Sequence, residues 1–181
     1  MARINIDNAP FIQKDFIVTT AFSQQHHALD LAPYGFSGDL YAIDHFKMQY
    51  KGYDNSYGNY AIFTNERGVM YLYSHMSQLP LKNVGDVYNI HEYVAPSGTT
   101  GTSTGVHLHL EMQSGTVWNY QAPFSSYINP TSYLTGIMNV VNPDYVYYFD
   151  GTPAPTEDIK HKFPWYIFDS DPEILGGSIV E

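Results

Sequence analysis

The chain of 181 residues contains no cysteine. Disulfides, thiolate metal ligands and a cysteine nucleophile are therefore excluded, and any metal must be held by imidazole and carboxylate. Basic residues are scarce, with eight Lys and Arg against 18 Asp and Glu and a formal net charge of −10 at pH 7. Without a basic stripe to displace phosphate counterions, nucleic acid is not expected as a partner. Long apolar runs are also missing: nothing approaches the ~18 residues that mark a membrane span. The first residues, Met1-Ala2-Arg3-Ile4-Asn5-Ile6, lack the apolar core of a secretory signal. The expectation is a protein that leaves the cell by another route, or a piece of a longer one.

What is present is aromatic and apolar. Hydrophobic residues make up 44% of the chain and charged ones only 14%, with 17 Tyr and 10 Phe. That mixture favours strands over long charged helices, so the fold is expected to be mostly β. The chemistry starts from Gly105-Val106-His107-Leu108-His109-Leu110-Glu111-Met112. Alternation along a strand puts Leu108 and Leu110 on the core face and His107 and His109 together on the other. Glu111 shares the histidine face. Two imidazoles on one rigid strand can begin a zinc site, since zinc takes neutral nitrogen ligands at about 2.0–2.1 Å. By itself His-x-His is a weak signal.

Further candidates come earlier in the chain. His26, His27 and Asp30 lie in a polar stretch that enters a short apolar strand, and a bend brings His26 and Asp30 to one ion; a solvated loop is the simpler alternative. Residues 34–59 alternate Gly, Asn and Asp with Tyr-rich pieces, which reads as hairpins. Tyr60–Thr64 and Val69–Tyr73 read as two strands joined by Asn65-Glu66-Arg67-Gly68, with His75 at the end of the second. Residues 96–105 form a Gly/Ser/Thr loop leading into the His-x-His strand; either a passing substrate or a flexible connection explains its small residues. Asn129-Pro130 looks like a helix start, with Asn as cap and Pro first. His45, His91 and His161 read as ordinary surface histidines.

Taken in order, His26-x-x-x-Asp30, Gly58-Asn59-Tyr60, Tyr71-Leu72-Tyr73-Ser74-His75-Met76-Ser77, Ser97–Gly105 and His107-x-His109-x-Glu111 resemble the motifs of the lysostaphin-type (LytM-like) zinc peptidases of bacterial peptidoglycan. The resemblance implies an antiparallel β-sheet core whose long loops form a substrate groove. It implies one zinc ion per chain held by His26, Asp30 and His109, with His75 and His107 as an unliganded catalytic pair. The substrate it implies is the peptide cross-bridge or stem peptide of peptidoglycan, attacked outside the cell. Two His and one Asp leave a fourth position open for water, as a catalytic zinc site requires. Asn59, Tyr41, Tyr57 and Thr102 are the candidates for lining the groove, with aromatic packing over the sheet as the alternative for the tyrosines. Glu111 is expected at the rim or behind the ligands, because a fourth protein ligand would displace the water. Two positions depart from the family pattern. Ala28 stands where Gly is common, and Phe22 lies near where some members carry a tyrosine.

The chain divides by this reading into a lead-in (1–15), a peptidase domain (16–136) and an acidic, aromatic extension (137–181). Residues 142–181 hold eight acids against Lys160 and Lys162, so −6 of the total −10 lies there. The extension either packs its aromatics on the β domain or docks the chain onto other proteins, such as those of a phage tail, virion or lysis apparatus that would deliver it. A family member kept only as a docking module is the alternative to an enzyme.

Overall fold

The structure is a computed structural model that describes residues 10–11, 16–33, 38–132 and 138–140. Ten strands follow in chain order: β1 (Phe16–Thr20), β2 (Ala28–Pro33), β3 (Asp39–Tyr41), β4 (Phe46–Asp54), β5 (Gly58–Thr64), β6 (Val69–Met76), β7 (Val87–Tyr88), β8 (Tyr93–Pro96), β9 (Leu108–Ser114) and β10 (Met138–Val140). Eight of them form one sheet in the order β10-β1-β2-β9-β6-β5-β4-β7, and β3 and β8 pair as a small second sheet. The described pairings are antiparallel except that of β10 with β1, which is parallel. The expected mostly β, antiparallel fold is what the chain adopts.

Alternation decides what each face of the large sheet carries. Leu29 and Leu31 of β2, Leu108, Leu110 and Met112 of β9, Tyr71 and Tyr73 of β6, and Phe63 of β5 point to one side. There they form the main core with Leu40 of β3, Ala42, Ile43, and Val94 and Ala95 of β8. Phe46 stacks on Phe63 at 4.3 Å within this core. Intervening residues point to the opposite face. Asp30, His109 and Glu111 occupy one end of it. Tyr60, Ile62, Met70, Leu72 and Trp118 make a second apolar cluster at the other. Asp30 lies directly across from His109 in the β2–β9 register, and Ser74 lies across from His109 in the β6–β9 register.

The Asn65–Gly68 connection closes the expected hairpin, with the Asn65 and Val69 backbones bonded at 2.9 Å. At residues 130–132 a single 3-10 turn replaces the expected helix. Asn129 does cap it, its side chain accepting from the Thr131 N–H at 3.1 Å and the Thr131 hydroxyl at 2.7 Å. The expected extension begins with β10, whose backbone joins the sheet edge; residues 141–181 and His161 lie outside the described residues.

Candidate metal centre

Each member of the site is placed by a different local device. Asp30 and His109 are fixed by strand register alone. His26 precedes β2, and its backbone N–H donates to the Ser23 carbonyl at 3.2 Å while the Ser23 N–H returns a bond to His26 at 2.8 Å. This tight loop is the bend required to bring His26 back beside Asp30, which itself lies within β2 and not in the loop. The His26 Nδ1–H faces the Ala21 carbonyl at 3.4 Å, so Nε2 is the nitrogen turned towards Asp30, 3.2 Å from its Oδ2.

His75 is placed by a bulge. Asn59 pairs with Met76 and Ala61 with Tyr73, so β6 carries one residue more than β5 between these pairs. His75 sits in that bulge with φ of 59°, a left-handed backbone unusual for a non-glycine residue. Regular alternation from Tyr71 and Tyr73 would aim it into the core. The bulge re-aims it onto the face that carries Asp30 and His109. Its N–H donates to the Tyr57 carbonyl at 2.8 Å, and its ring Nδ1–H donates to the Thr100 carbonyl, also at 2.8 Å.

His107 lies just before β9, bridged to Gly98. Its Nδ1–H donates to the Gly105 carbonyl at 2.8 Å, with the Ser103 hydroxyl 3.3 Å away. A carbonyl oxygen can only accept, so in both His75 and His107 the neutral ring carries its proton on Nδ1 and presents the Nε2 lone pair. Their rings are 4.7 Å apart, and His107 Nε2 is 4.0 Å from Asp30 Oδ1.

His26, Asp30 and His109 offer one ligand atom each within 4.8 Å of one another. His109 stands between two carboxylates, its Nδ1 2.8 Å from Asp30 Oδ1 and its Nε2 3.0 Å from Glu111 Oε1. Burial opposes charge on this ring, yet the bonds to Asp30 and Glu111 prevail and push its pKa up to about 9. Burial would likewise raise the Asp30 carboxyl, but the hydrogen bonds from His109 and His26 hold it well below the usual carboxylate range. For His75, burial pushes the imidazole below its ordinary value, with the Thr100 carbonyl acting against it. Two imidazoles and an ionised carboxylate converging on one point, with no fourth donor in the cluster among the described residues, match the donor set of a catalytic zinc site.

All five residues line one cavity of about 490 Å³, walled by Ser56, Tyr57, Gly101, Thr102, Ser103 and Thr104. Of the groove candidates, Tyr57 and Thr102 are in this wall. Asn59 is not; its side-chain amide donates to the Met76 and Ser77 carbonyls at 3.0 and 3.2 Å and braces the end of β6. Tyr41 is not either, lying on the small sheet with its ring 5.9 Å from Tyr93. His27 is outside the cavity wall and packs on Tyr127 and Phe124 at 4.5 and 5.3 Å, and Phe22 stacks on Phe124 at 5.4 Å. His45 and His91 are exposed. Thr100, which orients His75, was not singled out by the sequence; its only signal there is membership of the Gly/Ser/Thr loop.

The profile of Peptidase family M23 matches residues 24–123, which spans all five site residues. The fold is similar to that of the catalytic domain of the antimicrobial peptidase lysostaphin from Staphylococcus simulans. That match has 24% identity and a TM-score of 0.52 over 60% of this chain and 77% of the other. It is also similar to the catalytic domain of the prophage-encoded M23 protein EnpA from Enterococcus faecalis, an A109H mutant. There the identity is 20% and the TM-score 0.55, over 68% of this chain and 95% of that one. SpoIIQ in its pore-forming complex with SpoIIIAH matches at 16% identity and TM-score 0.53, over 74% and 93% of the two chains. With more than half its length matched by the family profile and its site residues inside the match, the chain belongs to peptidase family M23.

Proposed function

We propose that the protein is a zinc-dependent endopeptidase that hydrolyses the peptide cross-bridges or stem peptides of bacterial peptidoglycan. The observation that carries this reading is the joint floor: three convergent ligands, His26, Asp30 and His109, beside two imidazoles that keep their Nε2 lone pairs free. Zinc, when bound, supplies Lewis acidity that polarises a carbonyl and makes water acidic near neutral pH. The residues around it do the rest. His107 and His75, each with its Nδ1–H given to a carbonyl, present an Nε2 that can accept a proton from attacking water and return it to the leaving amine, a service worth about 10²- to 10⁴-fold in rate. Whichever ring is protonated donates a hydrogen bond to the oxyanion of the tetrahedral intermediate. Residues 1–25 hold no tyrosine, so that donor duty falls on a histidine or on a tyrosine from another loop. Thr102, Ser103 and Thr104 line one wall; the Thr102 and Ser103 hydroxyls already donate to the Asn55 and Gly105 carbonyls, so towards an extended peptide they are acceptors.

Action at the wall, outside the host cell, follows from the substrate. Delivery by a phage tail or lysis apparatus completes the reading, since a net charge of −10 gives no electrostatic adhesion to an anionic envelope; finding the chain by mass spectrometry in purified virions tests it. The similarity to SpoIIQ raises a second reading, a docking module without catalysis. The complete set of five site residues favours the first. Digestion of purified sacculi followed by mass analysis separates them: the enzyme releases fragments with new amino and carboxyl termini within stems or bridges. Sacculi whose peptides all remain intact would contradict it.

A further inference from the structure

Tyr57 lines the groove wall, but its hydroxyl is turned inward. It donates to Glu111 Oε1 at 2.9 Å, and the same oxygen receives the Nε2–H of His109 at 3.0 Å. Glu111 is 5% exposed and is not one of the three groups close enough to share an ion. A buried carboxylate persists only where donors satisfy it, and Tyr57 and His109 are the two that do so here. We propose that Tyr57 is a positioning residue: by pinning Glu111 it fixes the proton of His109 on Nε2 and so presents Nδ1, beside Asp30, to the metal. The inference rests on the endopeptidase reading only for the identity of that metal.

Three observations separate this role from simple lining. The Tyr57 ring already has its packing partners, Tyr60 at 5.4 Å and Tyr120 at 6.4 Å, so the hydroxyl is not needed to hold the ring. The Asp54 carboxylate accepts the backbone N–H groups of Ser56 and Tyr57 at 2.7 Å each, which stiffens the turn that carries the tyrosine. And the Tyr57 carbonyl accepts the His75 N–H, so one residue touches the supports of both the ligand set and the unliganded pair. Carboxylates behind a metal-bound histidine orient the ring and raise its basicity, and losing one costs about 10- to 100-fold in metal affinity.

The test is zinc affinity of the full chain, measured by competition with a chromophoric chelator for wild type, Tyr57→Phe, Glu111→Gln and the double variant. Glu111→Gln is expected to weaken zinc binding about tenfold or more, and Tyr57→Phe about threefold to tenfold. Because Tyr57 acts through Glu111, the double variant should bind no more weakly than Glu111→Gln alone. Wild-type affinity in Tyr57→Phe, or losses that multiply in the double variant, would overturn the proposal. Should Glu111→Gln fail to fold by circular dichroism, Tyr57→Phe alone decides, since it deletes only the hydroxyl. Zinc binding by a wild-type protein that leaves sacculi intact would sink the endopeptidase reading and not this one. Equal affinities across the set in a protein that cleaves sacculi would do the reverse.

Discussion

His75 and His109 share one floor but reach it by different means, and their replacements should fail differently. His109 contributes a nitrogen facing Asp30, so His109→Ala is expected to lose both zinc and hydrolysis. His75 has its Nδ1–H committed to Thr100 and stands outside the His26, Asp30 and His109 cluster. His75→Ala should therefore retain zinc while losing about 10²-fold or more in rate; metal analysis beside a hydrolysis assay checks both, and zinc loss from His75→Ala would contradict the assignment. His107 and His109 were legible in the sequence because i, i+2 alternation puts them on one side, although β9 itself begins only at Leu108. His75 was legible only through the ordered motif. Its local pattern, in line with Tyr71 and Tyr73, points to the core, and the bulge that reverses it depends on the pairing of β5 with β6. Tyr41 and Asn59 fall outside the cavity wall for the same kind of reason: proximity across strands is decided by register, which composition does not reveal.

The turn between β4 and β5 and the loop before β9 hold the cavity wall together by backbone contact. Gly58 has φ of 64°, and a Cβ placed there would meet the Thr100 carbonyl carbon at 2.3 Å. Close packing of this turn against the loop before β9 accounts for that glycine. Gly58→Ala combines a left-handed backbone penalty with overpacking against main chain, and is expected to destabilise by about 2–5 kcal/mol in a denaturant melt. A second tie lies across the molecule, where Asp44 Oδ2 accepts from Tyr71 at 2.6 Å, Asn65 at 2.8 Å and Arg67 at 2.6 Å. Burial pushes the Asp44 carboxyl up, but these bonds outweigh it and hold the carboxyl below its ordinary value. A depressed folded-state pKa gives stability that is complete above the unfolded value near 3.8 and fades as pH falls through the folded value. Asp44→Asn should thus cost about 2 kcal/mol at pH 7 and much less at the acid end of that window, read from melts across pH. The Asn129-Pro130 start signal was real, yet only a 3-10 turn follows it.

The large sheet carries a core on one face and the candidate site plus a small second apolar cluster on the other. Strand alternation made that division readable in advance, since Leu108 and Leu110 are fully buried while His107 and His109, which alternate with them, reach the cavity. The edge was less legible. A boundary near residue 136 cuts just before β10, which pairs in parallel with β1 and carries no strong strand pattern of its own. A chain ended after residue 136 should therefore melt at a lower temperature than one ended after 140; identical melts would show that β10 contributes nothing to the sheet. What binds these features into one account is the claim that peptide hydrolysis happens at a single zinc held by His26, Asp30 and His109. Reconstitution tests it most directly: metal-free protein is titrated with zinc while cleavage of a cross-linked muropeptide is followed. Cleavage should be absent at the start, rise to a plateau at one zinc per chain, and fail to appear in His109→Ala. Cleavage by the metal-free chain, or by His109→Ala at the wild-type rate, would contradict the claim.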